Sequence, residues 1–147
     1  PSRTSQRLLE VAEEGAPDEI ASALSLAPGE SVVVRRRLIL LDGEPVELAD
    51  SYYRASIARG TPLATRAKIR GGAPTALADL GYVIRRAVEE VEQRPATGAE
   101  AAALRLQPGA PVLTLTRTSI SEDGEPFEAS LMVMKAPRRL RYELEVQ

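Results

Sequence analysis

The sequence predicts an α+β domain with a central antiparallel sheet, flanking helices and a pseudo-symmetric internal repeat. The first observation is a hairpin pattern in residues 32–53, where two apolar runs flank Asp42-Gly43. Asp-Gly between apolar runs favours a tight two-residue turn. Arg35, Arg37, Ile39 and Leu41 share one face of the first predicted strand, because side chains alternate along a strand. Cationic groups set among aliphatic side chains make this face the first candidate for function.

The second observation is that the same signals return near the C-terminus. Pro28-Gly29 reappears as Pro108-Gly109, 80 positions later, and the Asp-Gly-Glu-Pro of residues 42–45 reappears at 123–126, 81 positions later. Each copy predicts a helix, Pro-Gly, a strand, a turn and a second strand. Two copies are too few for a solenoid, so the repeat indicates one pseudo-symmetric sheet.

Composition narrows the possible functions. The chain has 147 residues, enough for one domain, and aromatic residues make up 3% of them, so the core must be aliphatic. The formal net charge of −2 argues against nucleic-acid binding by this chain alone. The chain contains no cysteine and no histidine, which excludes disulfides, thiol nucleophiles and the usual zinc ligands. We expect no cofactor.

Long apolar runs and a signal peptide are both lacking from the sequence. We therefore expect no membrane contact and a cytoplasmic location. The sequence begins with Pro1 rather than methionine, so it is expected to be part of a longer chain.

The N-terminal elements are predicted from caps and breakers. Residues 1–16 are expected to be an N-terminal linker or extension, with a short helix as the alternative, and residues 17–147 to be the domain. Pro17-Asp18-Glu19 opens a helix that ends at Pro28-Gly29. Pro74-Thr75 is expected to start a short helix capped by Gly81.

The second half of the chain contains one ambiguous segment. Val83–Val91 fits helical spacing, although its β-branched residues also allow a strand. Thr97 and Glu100 form a capping box for a helix over 99–106. Strands are predicted over 112–120 and 126–134, and residues 138–146 are expected to be a final strand or a terminal extension.

Several side chains are candidates for ligand binding. Arg35 and Arg37 offer planar donor groups for a carboxylate or phosphate; the alternative is that they are solvated or paired with Glu47 and Asp50. Glu128 lies among apolar neighbours and either lines a pocket or faces water at a strand end. Of Tyr52 and Tyr53, which point to opposite faces, one is expected in the core and the other in a ligand wall.

A second candidate is the stretch before the Pro74 helix. Gly71-Gly72 allows backbone N–H groups to face an anion at a helix start, and Arg66, Lys68 and Arg70 precede it. The alternative is a simple turn, since the pattern lacks the ending of a P-loop.

With these residues placed, the chain resembles the UTRA domain, the effector-binding module of HutC-type GntR-family transcriptional regulators. The matching stretches are R-R-R-L-I-L-L-D-G-E-P-V (35–46), S-Y-Y (51–53), L-G-Y (80–82), L-R-L-Q-P-G-A-P-V-L (104–113) and D-G-E-P-F-E (123–128). The resemblance implies a chorismate-lyase-like fold around an internal ligand pocket, with Val83–Val91 as a strand. It also implies a homodimer whose separate N-terminal winged helix-turn-helix, absent from this chain, binds DNA.

The resemblance also implies site residues. In members that sense sugar phosphates, the pocket positions correspond to Arg37, Thr75 and Glu128 here. Family polar residues are replaced by Ile39, Ala49 and Met134, so a larger or more apolar acid is expected at least as much as a sugar phosphate. The full expected ligand-binding set is Arg35, Arg37, Tyr53, Lys68, Gly72, Thr75 and Glu128.

The resulting hypothesis is a domain that binds a small, anionic effector between the sheet and the Pro74 helix, and no catalysis is expected. The alternatives are a chorismate-lyase-like enzyme acting on a small aromatic acid, with Glu128 as its acid or base, and a purely structural dimerisation module.

Overall fold

The computed structural model describes residues 2–147 of the chain. Six strands and four short helices follow one another as β1 (Thr4–Gly15), α1 (Asp18–Ala23), β2 (Ser31–Leu41), β3 (Glu44–Arg54), α2 (Ala55–Ala58), α3 (Gly72–Asp79), β4 (Arg86–Pro95), α4 (Gly98–Leu104), β5 (Pro111–Ile120) and β6 (Pro126–Lys135). A 3-10 turn at Pro62–Ala64 lies between α2 and α3. Within residues 2–147, no helix is both long and apolar enough to cross a membrane.

The strands form one antiparallel sheet in the order β1-β2-β3-β6-β5-β4. That order is symmetric about the β3–β6 pair: β1-α1-β2-β3 makes one half and β4-α4-β5-β6 the other. The backbone repeats as well, since Ser25 and Arg105 have φ of +53° and +56°, and the turn glycines Gly43 and Gly124 both have φ of +81°. The predicted internal repeat is therefore present, and it begins one strand earlier than the sequence signals suggested.

The two faces of the sheet are covered differently. One face, called face B here, is covered by both repeat helices: Ile20 of α1 packs near Val34, and Leu104 of α4 packs near Leu38. The other face, called face A, carries Arg35, Arg37, Tyr53 and Glu128. The segment 55–82, which joins the two halves and has no repeat counterpart, packs on it and buries Val33 and Tyr53 with Leu63 and Leu77. The internal symmetry is thus broken on face A.

The expectation of a linker or short helix in residues 1–16 is wrong for Thr4–Gly15, which form β1 and pair with β2 along their length. The register shifts between Leu8 and Glu10, which makes Leu9 a bulge. A bulge interrupts the alternation of side chains by which a strand is recognised. For this reason the sequence of residues 4–15 does not show the pattern of a strand.

The ambiguous segment 83–91 belongs mainly to a strand, as the resemblance implied, because β4 covers Arg86–Pro95. It is an edge strand, with Val88 and Val91 42% and 49% exposed on opposite faces. Because both faces of this edge strand are exposed, its apolar residues do not alternate as on a half-buried strand. Their spacing therefore resembles that of a helix although the segment is a strand. Residues 136–147 contain no helix or strand, so the C-terminal segment is an extension.

Candidate functional site

Glu128 lies on face A near the start of β6 and accepts two hydrogen bonds from buried side chains. Tyr53 donates its hydroxyl to Oε2 at 2.8 Å, and Ser119 donates to Oε1 at 3.3 Å. Tyr53 is 1% exposed and Ser119 is fully buried. Burial, and secondly the neighbouring Glu128 carboxylate, raise the pKa of Tyr53 far above its usual range. Tyr53 therefore remains a protonated donor that fixes the position of Glu128.

Arg37 lies on the same face and contacts only neutral partners. Its guanidinium donates to Gln6 Oε1 at 3.1 Å and to Ser51 Oγ at 3.3 Å. Ser51 Oγ in turn lies 3.2 Å from Ser130 Oγ on β6. No acid in residues 2–147 forms an ion pair with Arg37. Its positive charge is consequently available to an anionic ligand.

Glu47 and Asp50, the alternative partners of Arg35 and Arg37, are engaged elsewhere. Asp50 lies on face B beside Arg36, with 3.7 Å between Asp50 Oδ2 and Arg36 Nε, and Glu47 pairs with Arg138 at 3.0 Å. Neither acid neutralises Arg35 or Arg37 by direct contact.

Arg35, by contrast, is a buried anchor. It is 7% exposed, and its Nη1 donates to the carbonyl oxygens of Pro62, Leu63 and Thr65 at 3.4, 3.0 and 2.6 Å. Burial lowers the pKa of its guanidinium from the usual value. These contacts, all made by Nη1, tie the segment that carries α2 and α3 to the sheet.

A cavity of about 270 Å³ lies between α3, residues 82–84 and the start of β6. Its wall is mostly apolar, and the rings of Tyr82 and Phe127 are 5.4 Å apart within it. Glu128 alone among the lining residues carries a charge. The lining residues are Pro74, Leu77, Ala78, Tyr82, Val83, Ile84, Phe127 and Glu128.

The remaining predicted site residues lie around α3 and outside the cavity lining. The helix begins at Gly72, two residues before the expected start at Pro74, and Gly71 and Gly72 lead into it with φ of +78° and +77°. Thr75 therefore lies inside the helix, where its hydroxyl donates to the Gly71 carbonyl at 3.0 Å. Lys68 is exposed in the preceding loop.

The structure thus groups some predicted residues and separates others. Arg37 and the Tyr53–Glu128 pair lie on one face, with the hydroxyls of Ser51 and Ser130 between them, whereas Arg35 serves the fold. Sequence reasoning missed the hydroxyls and the aromatic wall, although Ser119 already lay in a strand alternation and Tyr82 in a matching motif. The site residues it missed are Ser51, Leu77, Tyr82, Ser119, Phe127 and Ser130.

Metal or redox chemistry has no support from this arrangement. No group of three or more His, Cys, Asp or Glu in the described part of the chain is placed to hold a metal ion. Glu128 and Arg37 can form hydrogen bonds with a polar ligand beside an apolar wall.

Comparison with known proteins identifies the domain. The UTRA domain family model matches residues 2–138. An uncharacterized HTH-type transcriptional regulator of Streptomyces coelicolor is 34% identical over 122 residues, covering 81% of this chain and 45% of that protein. One from Rhizobium meliloti is 34% identical over 140 residues, covering 92% and 56%. The chain therefore spans about half the length of the curated relatives it matches.

Solved structures agree with the family match. The ligand-binding domain assigned to a GntR-family regulator of Bordetella bronchiseptica has a TM-score of 0.81 at 29% identity, covering 97% of this chain and 90% of that one. The effector domain of PhnF from Mycobacterium smegmatis has a TM-score of 0.80 at 20% identity, covering 93% and 83%, and supports the fold alone. The α+β, chorismate-lyase-like fold predicted from the sequence is confirmed. The chain belongs to the UTRA domain family, the effector-binding domains of GntR-family transcriptional regulators.

Proposed function

We propose that this domain binds a small organic acid with an apolar body, in the space between face A and α3. The observation that carries the proposal is the cavity at Glu128, whose wall of Leu77, Tyr82 and Phe127 adjoins the polar row that leads to Arg37. An apolar pocket with a few convergent polar groups is the usual form of a small-molecule site.

The size of the cavity limits the apolar body. A dry cavity of about 150 Å³ accommodates benzene, so the cavity of about 270 Å³ provides room for one substituted six-membered ring. Tyr82 and Phe127 supply aromatic contacts for such a ring. Because Glu128 is an acceptor held by two donors, it favours a ligand hydroxyl or amine on that side.

Arg37 is the residue that binds the acid group of the proposed ligand. Ser130 and Glu128 are two residues apart on one face of β6, roughly 7 Å along the strand, and Ser130 is linked through Ser51 to Arg37. A ligand whose ring occupies the cavity therefore reaches the guanidinium with a short side chain. The free charge of Arg37 makes a carboxylate the matching group.

The proposed consequence is regulation of DNA binding. The named relatives are HTH-type transcriptional regulators about twice as long as this chain. We infer a HutC-type cytoplasmic regulator that acts as a homodimer, in which a separate N-terminal winged helix-turn-helix binds operator DNA. An effector shifts such a protein only through different affinities for its DNA-binding and released states.

A thermal-shift screen tests the ligand class. Aromatic and aliphatic carboxylates are screened against the wild-type chain, Arg37→Ala and the matched control Arg105→Ala, whose guanidinium pairs with Glu44 outside the site. We expect a hydroxylated aromatic acid to stabilise the wild type and the control. Its calorimetric affinity for Arg37→Ala should fall by about tenfold or more, because a charge-assisted hydrogen bond contributes about 1.5–3 kcal/mol. Equal affinity for all three proteins would refute the assigned acid contact.

An enzyme on the same fold is the rival proposal, with Glu128 as its acid or base. The regulatory relatives favour binding without turnover. Incubation of each screening hit with the chain, followed by product analysis, distinguishes the two. Product formation that Glu128→Gln abolishes would favour the enzyme, whereas unchanged ligand supports the binding domain.

A further inference from the structure

The internal two-fold gives Arg37 a counterpart. Arg117 on β5 follows Arg37 on β2 by 80 positions, the same offset that relates Pro28 to Pro108. Both arginines lie on face A, Arg37 opposite Ala49 and Arg117 opposite Ser130. Arg117 is part of neither the expected ligand-binding set nor the cavity lining.

Four side chains form a row across the sheet between these two positions. Arg37 on β2 donates to Ser51 on β3, whose hydroxyl meets that of Ser130 on β6 at 3.2 Å. Ser130 lies directly opposite Arg117 on β5. Arg35, rather than Arg37, is in register with Ser51, so the Arg37 side chain reaches Ser51 from two residues along β2. The polar groups then follow in the order guanidinium, hydroxyl, hydroxyl, guanidinium across four neighbouring strands. The two arginine Cα positions are three strand spacings apart and offset by two residues along the strands, which makes roughly 16 Å in all, and two arginine side chains with a short ligand between them fill that distance.

The environment of Arg117 permits a new partner. Its side chain is 47% exposed, and Glu89 on β4 lies 3.3 Å from its Nη2. An exposed ion pair of this kind contributes little to stability, so exchanging Glu89 for a ligand acid costs little. Glu128 lies two residues from Ser130, towards the cavity, and is separated from this row along β6.

We propose that Arg117 is the second acid contact of the effector site, and that the effector is a dianion whose two acid groups are bound by Arg37 and Arg117. The inference rests on the proposed function and specifies its ligand as a dicarboxylic acid. Ser51 and Ser130 lie beneath the ligand and offer hydroxyl donors, while Glu89 is the internal competitor for Arg117.

The test uses dicarboxylates of graded length, from malonate to pimelate, each compared with the monocarboxylate of equal length by calorimetry on the purified chain. We expect one length to bind best, and Arg117→Ala to weaken it about tenfold while leaving monocarboxylate affinity unchanged. Glu89→Gln should tighten dicarboxylate binding, because the competitor has been removed. Arg105→Ala, which disrupts a similar exposed ion pair with Glu44, should leave both affinities unchanged.

The outcomes separate this inference from the proposed function. If Arg37→Ala weakens every acid while Arg117→Ala and Glu89→Gln change nothing, the site stands and the role of Arg117 is refuted. Dicarboxylates that bind no better than their monocarboxylate partners also refute it. If circular dichroism shows that Arg117→Ala does not fold, the same affinities are compared with Arg117→Gln and Glu89→Gln instead.

Discussion

At the scale of single residues, Arg35 and Arg37 show how environment separates two chemically identical groups. They lie two positions apart on the same face of one strand. Arg35 is buried against three backbone carbonyls, whereas Arg37 is half-buried beside two neutral side chains. A desolvated guanidinium must use its donors inside the protein, so Arg35 stabilises the fold and Arg37 is available for binding.

This contrast predicts opposite effects of two matched substitutions. Arg35→Ala should lower the free energy of unfolding by about 2–4 kcal/mol, because it removes a buried donor from the carbonyls of Pro62, Leu63 and Thr65. Arg37→Ala should cost less than about 1 kcal/mol and should mainly weaken ligand binding. Urea denaturation measures both values. Equal losses of stability would contradict the assignment of separate roles.

Tyr53 predicts a pH dependence. Its folded-state pKa is raised by burial and by Glu128, so above the unfolded-state pKa of about 10 the unfolded chain loses a proton that the folded chain retains. Stability is therefore complete below pH about 10 and falls above it, by about 1.4 kcal/mol per pH unit.

Tyr53→Phe is the matched variant for this effect. It should lose about 1–3 kcal/mol at neutral pH, because the hydrogen bond to the Glu128 carboxylate is gone. It should also show a shallower decline above pH 10 than the wild type. Urea titrations at neutral and alkaline pH measure both. Parallel curves for the two proteins would show that Tyr53 is not the responsible group.

At the scale of elements, α3 depends on the backbone that precedes it. Gly71 has a φ of +78°, and a Cβ built there would lie 2.9 Å from Thr75 Cβ. Gly60 has a similar φ of +73° but has no neighbour within 4 Å of such an atom. Substituting each of the two glycines therefore distinguishes the cost of backbone strain from the cost of a steric clash.

We expect Gly60→Ala to cost about 1–2 kcal/mol, the penalty for a left-handed conformation. Gly71→Ala should cost more, since Thr75 must also move, and it should weaken ligand binding through the displaced cavity wall at Leu77. Urea denaturation and calorimetry provide the measurements. Identical effects of both substitutions on stability and affinity would show that the Thr75 contact is unimportant.

Short sequence motifs correctly predicted the turns and caps that depend only on neighbouring residues. Asp42-Gly43 has φ of +51° and +81°, as its hairpin pattern required, and the capping box of Thr97 and Glu100 is present. The bulge at Leu9 concealed β1, because the extra residue breaks the alternation. α3 begins at Gly72, two residues before the predicted start at Pro74, which is within the ordinary variation of helix ends. Tyr82 and Phe127, 45 positions apart in the sequence, meet only through the sheet, so the cavity wall was beyond sequence reasoning.

At the scale of the whole molecule, the candidate site arises where the internal symmetry fails. Both repeat helices cover face B, and each buries a hydrophobic cluster against that side of the sheet. On face A, the segment 55–82 packs over Val33 and Tyr53 of the first half and has no counterpart in the second. The cavity lies at the edge of this cover, where α3 and Tyr82 meet the start of β6. The unrepeated segment 55–82 thus creates a pocket on one side of an otherwise symmetric sheet.

The most direct test of this account is a crystal structure of the chain with the tightest-binding acid from the screen. We expect the apolar body to contact Leu77, Tyr82 and Phe127, and a carboxylate oxygen to lie within hydrogen-bond distance of Arg37. An acid bound elsewhere on the domain, with Arg37 still engaged only by Gln6 and Ser51, would contradict it.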